Sequence, residues 1–184
     1  GLRSFDSNDA DFFLDLLPGP RNRDGLPESV RIWKNRIEGN ESSIPFRVGL
    51  IYGPSGCGKS SFVKAGLLPQ LNSSVRPVYI ESSADETEAR LTHGIGRLLE
   101  KDASPSSLTG LLGNARRGKG LEPGQKLLII LDQFEQWLQS HSGEAQTQLG
   151  DALRQCDGDR VQCLILVRDD FWLSASRFMA SLEA

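Results

Sequence analysis

Cysteine is scarce in this sequence, and its scarcity excludes two classes of small protein. The 184 residues include three cysteines, Cys57, Cys156 and Cys163. Three is an odd number and too few for a disulfide framework, and no pair has the short spacing of a metal-binding motif. A reducing, cytoplasmic compartment is therefore expected.

Long hydrophobic runs are also missing. The longest apolar run, 127–131, has the length of a buried strand, whereas a helix that crosses a bilayer needs about 20 apolar residues. The first residues, 1–11, are acidic and polar, which argues against a signal peptide. Residues 177–184 have the pattern of a helix without a stop signal, so the sequence is expected to be part of a longer protein.

Neither sign of charge dominates. The 21 lysines and arginines and the 24 aspartates and glutamates give a net charge of −3. This balance provides no general attraction to nucleic acid or to an anionic membrane. Hydrophobic residues make up 38% and charged residues 24%, as in a globular domain with a sizeable core.

Continuous apolar runs predict a parallel sheet that is covered by helices on both faces, because an alternating pattern would leave one face in water. Strands are predicted over 48–52, 77–80, 127–131 and 161–167. Helices are predicted over 27–37, 60–68 (ending before Pro69), from a capping box at 83–86, from Pro105 to Gly118, and from Phe134 with a break near 140–143. This order predicts a three-layer α/β fold with right-handed crossovers.

A phosphate-binding motif follows the first strand. Residues 53–60, Gly-Pro-Ser-Gly-Cys-Gly-Lys-Ser, fit G-x-x-x-x-G-K-[ST] at every fixed position, with a strand before and a helix after. Glycines let such a loop curl its backbone N–H groups around phosphates, and the helix N-terminus adds positive potential. The residues expected to hold a nucleotide are Gly53, Pro54, Ser55, Gly56, Cys57, Gly58, Lys59, Ser60 and Ser61.

Three side chains of this motif have separate expected roles. Lys59 reaches the β- and γ-phosphates, Ser60 ligates Mg²⁺ and Ser61 donates to the α-phosphate. For Cys57 two interpretations stand: a thiol made reactive by the helix N-terminus, or a small residue at a tolerant position.

An acidic residue ends the third strand. Asp132 follows the apolar run 127–131, and the carboxyl ends of parallel strands face the crevice where ligands bind. Asp132 is therefore expected to hold Mg²⁺ through water, as a Walker B aspartate does. The alternative is an N-cap for the helix that follows.

The catalytic base is less clearly indicated. Gln133 occupies the position where many ATPases of this broad class carry a glutamate, and glutamine orients water but is a poor base. Glu135 is the nearest carboxylate. It either polarises the attacking water or complements the dipole of its helix.

An arginine ends the fourth strand, near the same crevice. Arg168 is expected to sense the γ-phosphate and report its loss through the next helix. The alternative is an ion pair with Asp169 or Asp170, two residues that are otherwise expected to cap that helix.

These motifs together resemble the STAND class of signal-transduction ATPases, in particular the novel STAND group of bacterial multidomain proteins. The resemblance rests on the P-loop with its extension 65–69 (Ala-Gly-Leu-Leu-Pro), on Leu-Asp-Gln-Phe-Glu at 131–135, and on Val-Arg-Asp-Asp-Phe-Trp at 167–172. It covers the chain from about Phe12 onward. It implies a single P-loop domain over 1–184, with an adenine-side helical segment at 12–38 and a core at 46–184.

The resemblance also implies a function. Such domains bind ATP or ADP with Mg²⁺, switch between closed and open states, and form ATP-dependent homo-oligomers. They adjoin sensor repeats (WD40 or TPR) and an effector domain. The family places the adenine contact within 23–33, and a helical and winged-helix lid after the last strand, which this sequence does not contain. The expected sheet order is 1-4-3-2.

Two other functions remain open at this point. A small-substrate phosphotransferase is one, with Arg116, Arg117 and Lys119 as its basic lid. An interaction module that binds nucleotide without turnover is the other. A GTPase is disfavoured, because the sequence has no Asn/Thr-Lys-x-Asp motif to recognise guanine.

Overall fold

Four parallel strands form the centre of the fold. We analysed a computed structural model that describes residues 4–40, 43–99, 107–144 and 146–183. The strands are β1 (Val48–Gly53), β2 (Val75–Glu81), β3 (Lys126–Asp132) and β4 (Val161–Arg168). Their order in the sheet is β1-β4-β3-β2, which confirms the predicted order.

Helices precede, connect and follow the strands. Two of them come before β1, and the others lie in the crossovers or after β4. They are α1 (Ala10–Leu16), α2 (Glu28–Glu38), α3 (Lys59–Ser61), α4 (Thr87–Leu99), α5 (Leu108–Arg116), α6 (Glu135–Ser140), α7 (Gln148–Leu153) and α8 (Trp172–Glu183). None of these helices combines the length and the apolar character that a membrane span requires.

The two faces of the sheet support two separate hydrophobic cores. Along β3, Leu127, Ile129 and Leu131 pack into the core formed with α4 to α8. The alternate residues Leu128 and Ile130 pack into the other core, with α2 and the segment after α3. Successive strand side chains point to opposite faces, so a fully apolar strand is the pattern expected for a sheet covered on both sides.

The parallel register brings the carboxyl ends of the strands together. Gly53, at the end of β1, pairs with Arg168, at the end of β4. Glu81, at the end of β2, pairs with Asp132, at the end of β3. The phosphate loop, the Asp132 carboxylate and Arg168 therefore all lie at one edge of the sheet.

The helix after the phosphate loop differs from its prediction. It does not run as one α-helix from residue 60 to 68; after α3 it widens into a π-helix over Phe62–Leu67 and closes with a 3-10 turn over Leu68–Gln70. The Leu68 N–H donates to the carbonyl of Val63, five residues back. Pro69 lies inside the 3-10 turn, near its start, where a missing N–H costs nothing.

The start of the helix after β2 was predicted too early. Ser83 accepts the Glu86 N–H as expected, but Thr87 rather than Glu86 accepts the Ser83 N–H, and α4 begins at Thr87. The α5 helix begins at Leu108, with the Ser107 hydroxyl accepting the Gly110 N–H. The predicted start at Pro105 lies outside the described residues.

A buried isoleucine, Ile130, and an exposed one, Ile44, test how much the core on one face of the sheet contributes to stability. Ile130 on β3 is fully buried, whereas 82% of Ile44 is exposed. We expect Ile130→Ala to lower the free energy of unfolding by about 2–5 kcal/mol, because it removes buried methyl groups and leaves a cavity. Ile44→Ala should change it by less than about 0.5 kcal/mol. Urea unfolding monitored by circular dichroism measures both, and equal effects would contradict the described core.

Candidate functional site

The phosphate loop joins β1 to α3 through two glycines with left-handed backbone. Gly56 has a φ of 76° and Gly58 a φ of 93°. Residues with a Cβ rarely adopt such angles, so this loop conformation favours glycine both at Gly58, a fixed position of the motif, and at Gly56, a variable one. Ser55, Gly56, Gly58, Lys59, Ser60 and Ser61 line a cleft of about 700 Å³ at this edge of the sheet.

Lys59 is held by its own loop. Its Nζ donates to the carbonyls of Gly53 at 2.8 Å and Pro54 at 2.9 Å. Cys57 is exposed, with its Sγ 3.8 Å from the same Nζ. Gly53, Pro54 and Cys57 thus contact Lys59, and they are not among the described residues that line the cleft.

Ser60 and Asp132, both predicted metal ligands, are directly linked. The Ser60 hydroxyl donates to Asp132 Oδ2 at 2.6 Å. Asp132 is 2% exposed, and its Oδ1 accepts the Gln133 N–H at 2.8 Å. A buried carboxylate requires such donors. The alternative role predicted for Asp132 was to cap the next helix. Only its bond to the Gln133 N–H corresponds to that role, because α6 begins later, at Glu135.

A third donor to Asp132 was not predicted from the sequence. The Tyr79 hydroxyl, on β2, also donates to Asp132 Oδ2. Burial and this hydrogen bond raise the pKa of Tyr79 above its usual range, so the phenol stays protonated. The sequence motifs did not indicate Tyr79, because it is a single residue in a short strand and belongs to none of them. The parallel order β2–β3 is the signal that would have placed Tyr79 near Asp132.

The chain turns sharply after Asp132. Gln133 has a φ of 52°, a left-handed conformation that costs a non-glycine residue about 1–2 kcal/mol. The Phe134 N–H then donates to the carbonyl of Leu166 on β4. Gln133 is exposed and lines the cleft with Gln136. Backbone strain of this kind is concentrated at functional sites.

Glu135 is buried at the base of the cleft, at 8% exposure. Its Oε2 accepts the backbone N–H of Arg168 at 3.2 Å. One carboxylate oxygen therefore fixes the end of β4 to the start of α6. No hydrogen bond of the other oxygen is found within the described part of the chain.

Arg168 lines the cleft and also forms an ion pair. Its Nε donates to Asp170 Oδ1 at 3.0 Å, and its guanidinium lies over the Phe171 ring. The hydrogen bond raises the pKa of Arg168 and lowers that of Asp170. The ion pair with Asp170, one of the alternatives expected for Arg168, is therefore present, and Arg168 precedes the 3-10 turn Asp169–Phe171 without a side-chain cap.

The N-terminal segment completes the cleft. Ser4, Phe5 and Phe13 also line it, and the Phe5 N–H donates to Ser61 Oγ at 3.1 Å. Phe13 reaches this position because it packs on Gly66, where an added Cβ would come within 3.2 Å of its ring. No described residue of 23–33, the range expected to contact adenine, lines this cleft. Sequence reasoning missed Phe5 and Phe13, which belong to no motif.

The residues present fit a magnesium ion. Mg²⁺ prefers oxygen ligands and is usually held by one or two carboxylates together with phosphates and water. Asp132 and Ser60 supply a carboxylate and a hydroxyl, 2.6 Å apart. The described residues contain no cluster of three or more His, Cys, Asp or Glu side chains able to hold a metal without such help.

The predicted basic lid of a phosphotransferase lies far from this cleft. Arg116 is the last residue of α5, and Arg117 and Lys119 follow it in the connection to β3. Gly118 lies against Arg160, which immediately precedes β4. These residues are at the amino ends of the parallel strands, whereas the cleft is at the carboxyl ends, so they cannot close over it.

Solved structures share the fold at low sequence identity. The ORC2 protein of Aeropyrum pernix is 19% identical in a structure with ADPNP–ADP complexes (TM-score 0.51, covering 98% of this chain and 48% of that one). Its ADP form is 20% identical (TM-score 0.56, 95% and 49%). A Walker-type ATPase of Pyrococcus abyssi is 16% identical (TM-score 0.53, 91% and 51%). The chain spans about half the length of these proteins.

No curated protein sequence matches the chain. One family model does, that of the novel STAND NTPase 1, and the match covers residues 1–184. The match agrees with the phosphate loop, the Ser60–Asp132 contact and the parallel sheet described above. The chain therefore belongs to the novel STAND NTPase 1 family.

Proposed function

We propose that this chain is the ATP- and Mg²⁺-binding switch domain of a signalling ATPase with slow turnover. The observation that carries the proposal is the convergence of the phosphate loop, the Ser60–Asp132 pair and Arg168 on one cleft. Its volume of about 700 Å³ is in the range of small-ligand sites. The family membership and the nucleotide complexes of the Aeropyrum pernix protein support this assignment.

The phosphates would take the place of the loop carbonyls around Lys59. The ammonium group is now satisfied by the carbonyls of Gly53 and Pro54. These are neutral acceptors, whereas a phosphate oxygen is charged and makes a stronger hydrogen bond. Exchange of one for the other therefore favours binding without leaving the cation unpaired. Ser61 keeps its hydroxyl proton for the α-phosphate, because its one hydrogen bond to the described residues is accepted from the Phe5 N–H.

The adenine base would lie toward the N-terminal segment. Phe5 and Phe13 line the cleft and form an aromatic pair with ring centroids 5.3 Å apart. Aromatic rings contribute large apolar contact area to ligands with flat faces. We place the base contact here rather than within 23–33. The absence of a guanine-recognition motif favours adenine.

Mg²⁺ would be held by Ser60 and, through water, by Asp132. The ion neutralises charge on the phosphates when bound. Glu135 would polarise the attacking water through the oxygen that does not bind the Arg168 N–H. The other oxygen accepts that backbone bond, which orients the carboxylate. Gln133, at the position where many ATPases carry a glutamate, is a poor base, which favours slow turnover.

Arg168 would act as the sensor of the γ-phosphate. Its present partner, Asp170, is exposed, and exposed ion pairs contribute little to stability. A γ-phosphate in the cleft would therefore compete for the guanidinium at low cost. The release of Asp170, at the start of the segment that leads to α8, would transmit the state of the nucleotide to that helix.

The remaining features of the proposal follow from the family. We propose a cytoplasmic parent protein in which sensor repeats and an effector domain flank this domain. ATP binding would favour a homo-oligomer, and ADP the closed state.

Lys59→Ala tests nucleotide binding. We expect a loss of about 1.5–3 kcal/mol, equivalent to a roughly 10- to 150-fold higher Kd for a fluorescent ATP analogue with Mg²⁺, because a charged hydrogen bond is removed. The exposed Lys119, at the other end of the sheet, provides the control Lys119→Ala, which should bind like the wild type. GTP should compete poorly. Absence of binding by the wild type at millimolar nucleotide would refute the proposed function.

Glu135→Gln tests the catalytic base. Glutamine keeps an oxygen that can accept the Arg168 N–H, but it cannot take a proton. We expect the rate of phosphate release to fall about 100-fold or more, with nucleotide affinity and melting temperature unchanged. The exposed Gln139, on the same helix but not among the residues that line the cleft, gives a control, Gln139→Ala, whose rate should not change. An unchanged rate in Glu135→Gln would assign Glu135 a structural role only.

Cys57 provides a chemical reporter of occupancy. Burial raises the pKa of Cys156 to about 12 and also raises that of Cys163, whereas Cys57 is exposed. Because the thiolate is the reactive form, N-ethylmaleimide at pH 8 should modify one thiol per folded chain. MgATP should slow this reaction by covering the loop. Intact-mass spectrometry measures both, with Cys57→Ser as the control. Modification at equal rates with and without MgATP would contradict binding at this loop.

A further inference from the structure

Among the described donors to Asp132, Tyr79 is the one that belongs to neither nucleotide motif. It lies on β2, two residues before the Glu81–Asp132 pair. Its hydroxyl and that of Ser60 both donate to Oδ2 of Asp132, while Oδ1 accepts the Gln133 N–H. The carboxylate is therefore held at both oxygens, by donors from three separate parts of the chain.

The Tyr79 ring is itself held in place. The Lys64 ammonium, on the π-helix after the phosphate loop, lies 4.8 Å from the ring centroid. Lys64 also pairs with Glu81 at 3.5 Å. The ring packs against the core that contains Ile130 and Val63. Tyr79 thus links β2, the phosphate-loop helix and the end of β3.

We propose that Tyr79 is a positioning residue of the magnesium site. The inference rests on the proposed function. A serine that ligates a metal must turn a lone pair toward it, so its proton needs an acceptor in a fixed direction. That acceptor is Asp132 Oδ2, and the torsion that places a carboxylate oxygen is intrinsically broad. The Tyr79 hydroxyl fixes this oxygen, and through it the orientation of Ser60.

A purely structural role for Tyr79 makes a different prediction. If the phenol only satisfied its own hydrogen bond in a half-buried position, its removal would weaken the fold and all nucleotide binding alike. A positioning role affects the contribution of Mg²⁺ alone. The quantity that separates the two is the ratio of the ATP Kd measured in EDTA to the Kd measured with Mg²⁺.

Tyr79→Phe removes one oxygen and retains the ring. We expect this variant to reduce the magnesium-dependent gain in affinity for a fluorescent ATP analogue about tenfold, as changes to groups behind a metal ligand commonly do. Its Kd in EDTA should equal that of the wild type. Because both constants are measured on the same sample, a partly unfolded fraction affects them equally and leaves the ratio unchanged.

The chain offers a matched control. Tyr52 is the only other tyrosine; it lies on β1, is 55% exposed and packs against Trp172. Tyr52→Phe should retain the full gain. In the Asp132→Asn background, Tyr79→Phe should cause no further loss, because the group it positions has been altered.

Each outcome decides the matter. A full magnesium gain in Tyr79→Phe overturns the inference while leaving the proposed function intact. An equal loss of affinity with and without Mg²⁺ overturns it in favour of a structural role. A wild-type chain that binds no nucleotide in either condition refutes the proposed function, and the inference with it.

Discussion

The burial of one carboxylate constrains the site more than any other interaction. Asp132 is 2% exposed at the end of β3, and a charge removed from water must be compensated by hydrogen bonds or neutralised. Its donors come from Ser60 after β1, from Tyr79 on β2 and from the chain that turns back at Gln133. These segments must approach to within hydrogen-bond distance, which fixes how the phosphate loop sits against β2 and β3.

The turn at Gln133 shows the cost of this arrangement. A left-handed backbone is unfavourable for glutamine, yet it returns the Gln133 N–H to Asp132 and directs the Phe134 N–H to β4. Glu135 then reaches the end of β4 through the Arg168 N–H. One backbone bond and one bond to a side chain thus join the ends of β3 and β4. The strain at Gln133 is compensated by contacts that also define the cleft.

The sequence predicted those features that depend on periodicity or on a motif. Strands such as β3 and β4 are continuous apolar runs, which can be recognised in the sequence. The glycine loop then identifies Lys59 and Ser60, and the ends of the predicted strands identify Asp132 and Arg168, without knowledge of the fold. The order β1-β4-β3-β2 was expected from the family resemblance. The boundaries of the helices were predicted less accurately. At α4, Thr87 rather than Glu86 accepts the Ser83 N–H, so the helix begins later than the capping box predicted.

What the sequence did not predict depends on contacts between distant segments. The π-helix of Phe62–Leu67 has no local signal, although Gly66 within it is the point where Phe13 packs. Phe5 becomes part of the site only because its N–H reaches Ser61, 56 residues later. Tyr79 is similar: its role depends on the pairing of β2 with β3, which no local pattern encodes.

The strength of the contacts differs across the cleft, and this difference bears on how a switch could operate. Asp132 and Glu135 are buried and are held by bonds to neighbouring strands, so they provide a fixed platform. Arg168 and Asp170 pair in solvent, where water and salt screen their attraction. A ligand that exchanges partners at the exposed pair meets little resistance, whereas one that displaced Asp132 would have to uncover a buried charge. In the proposed switch, movement would therefore begin at the end of β4 and travel toward α8, while the Ser60–Asp132–Tyr79 network stayed in place.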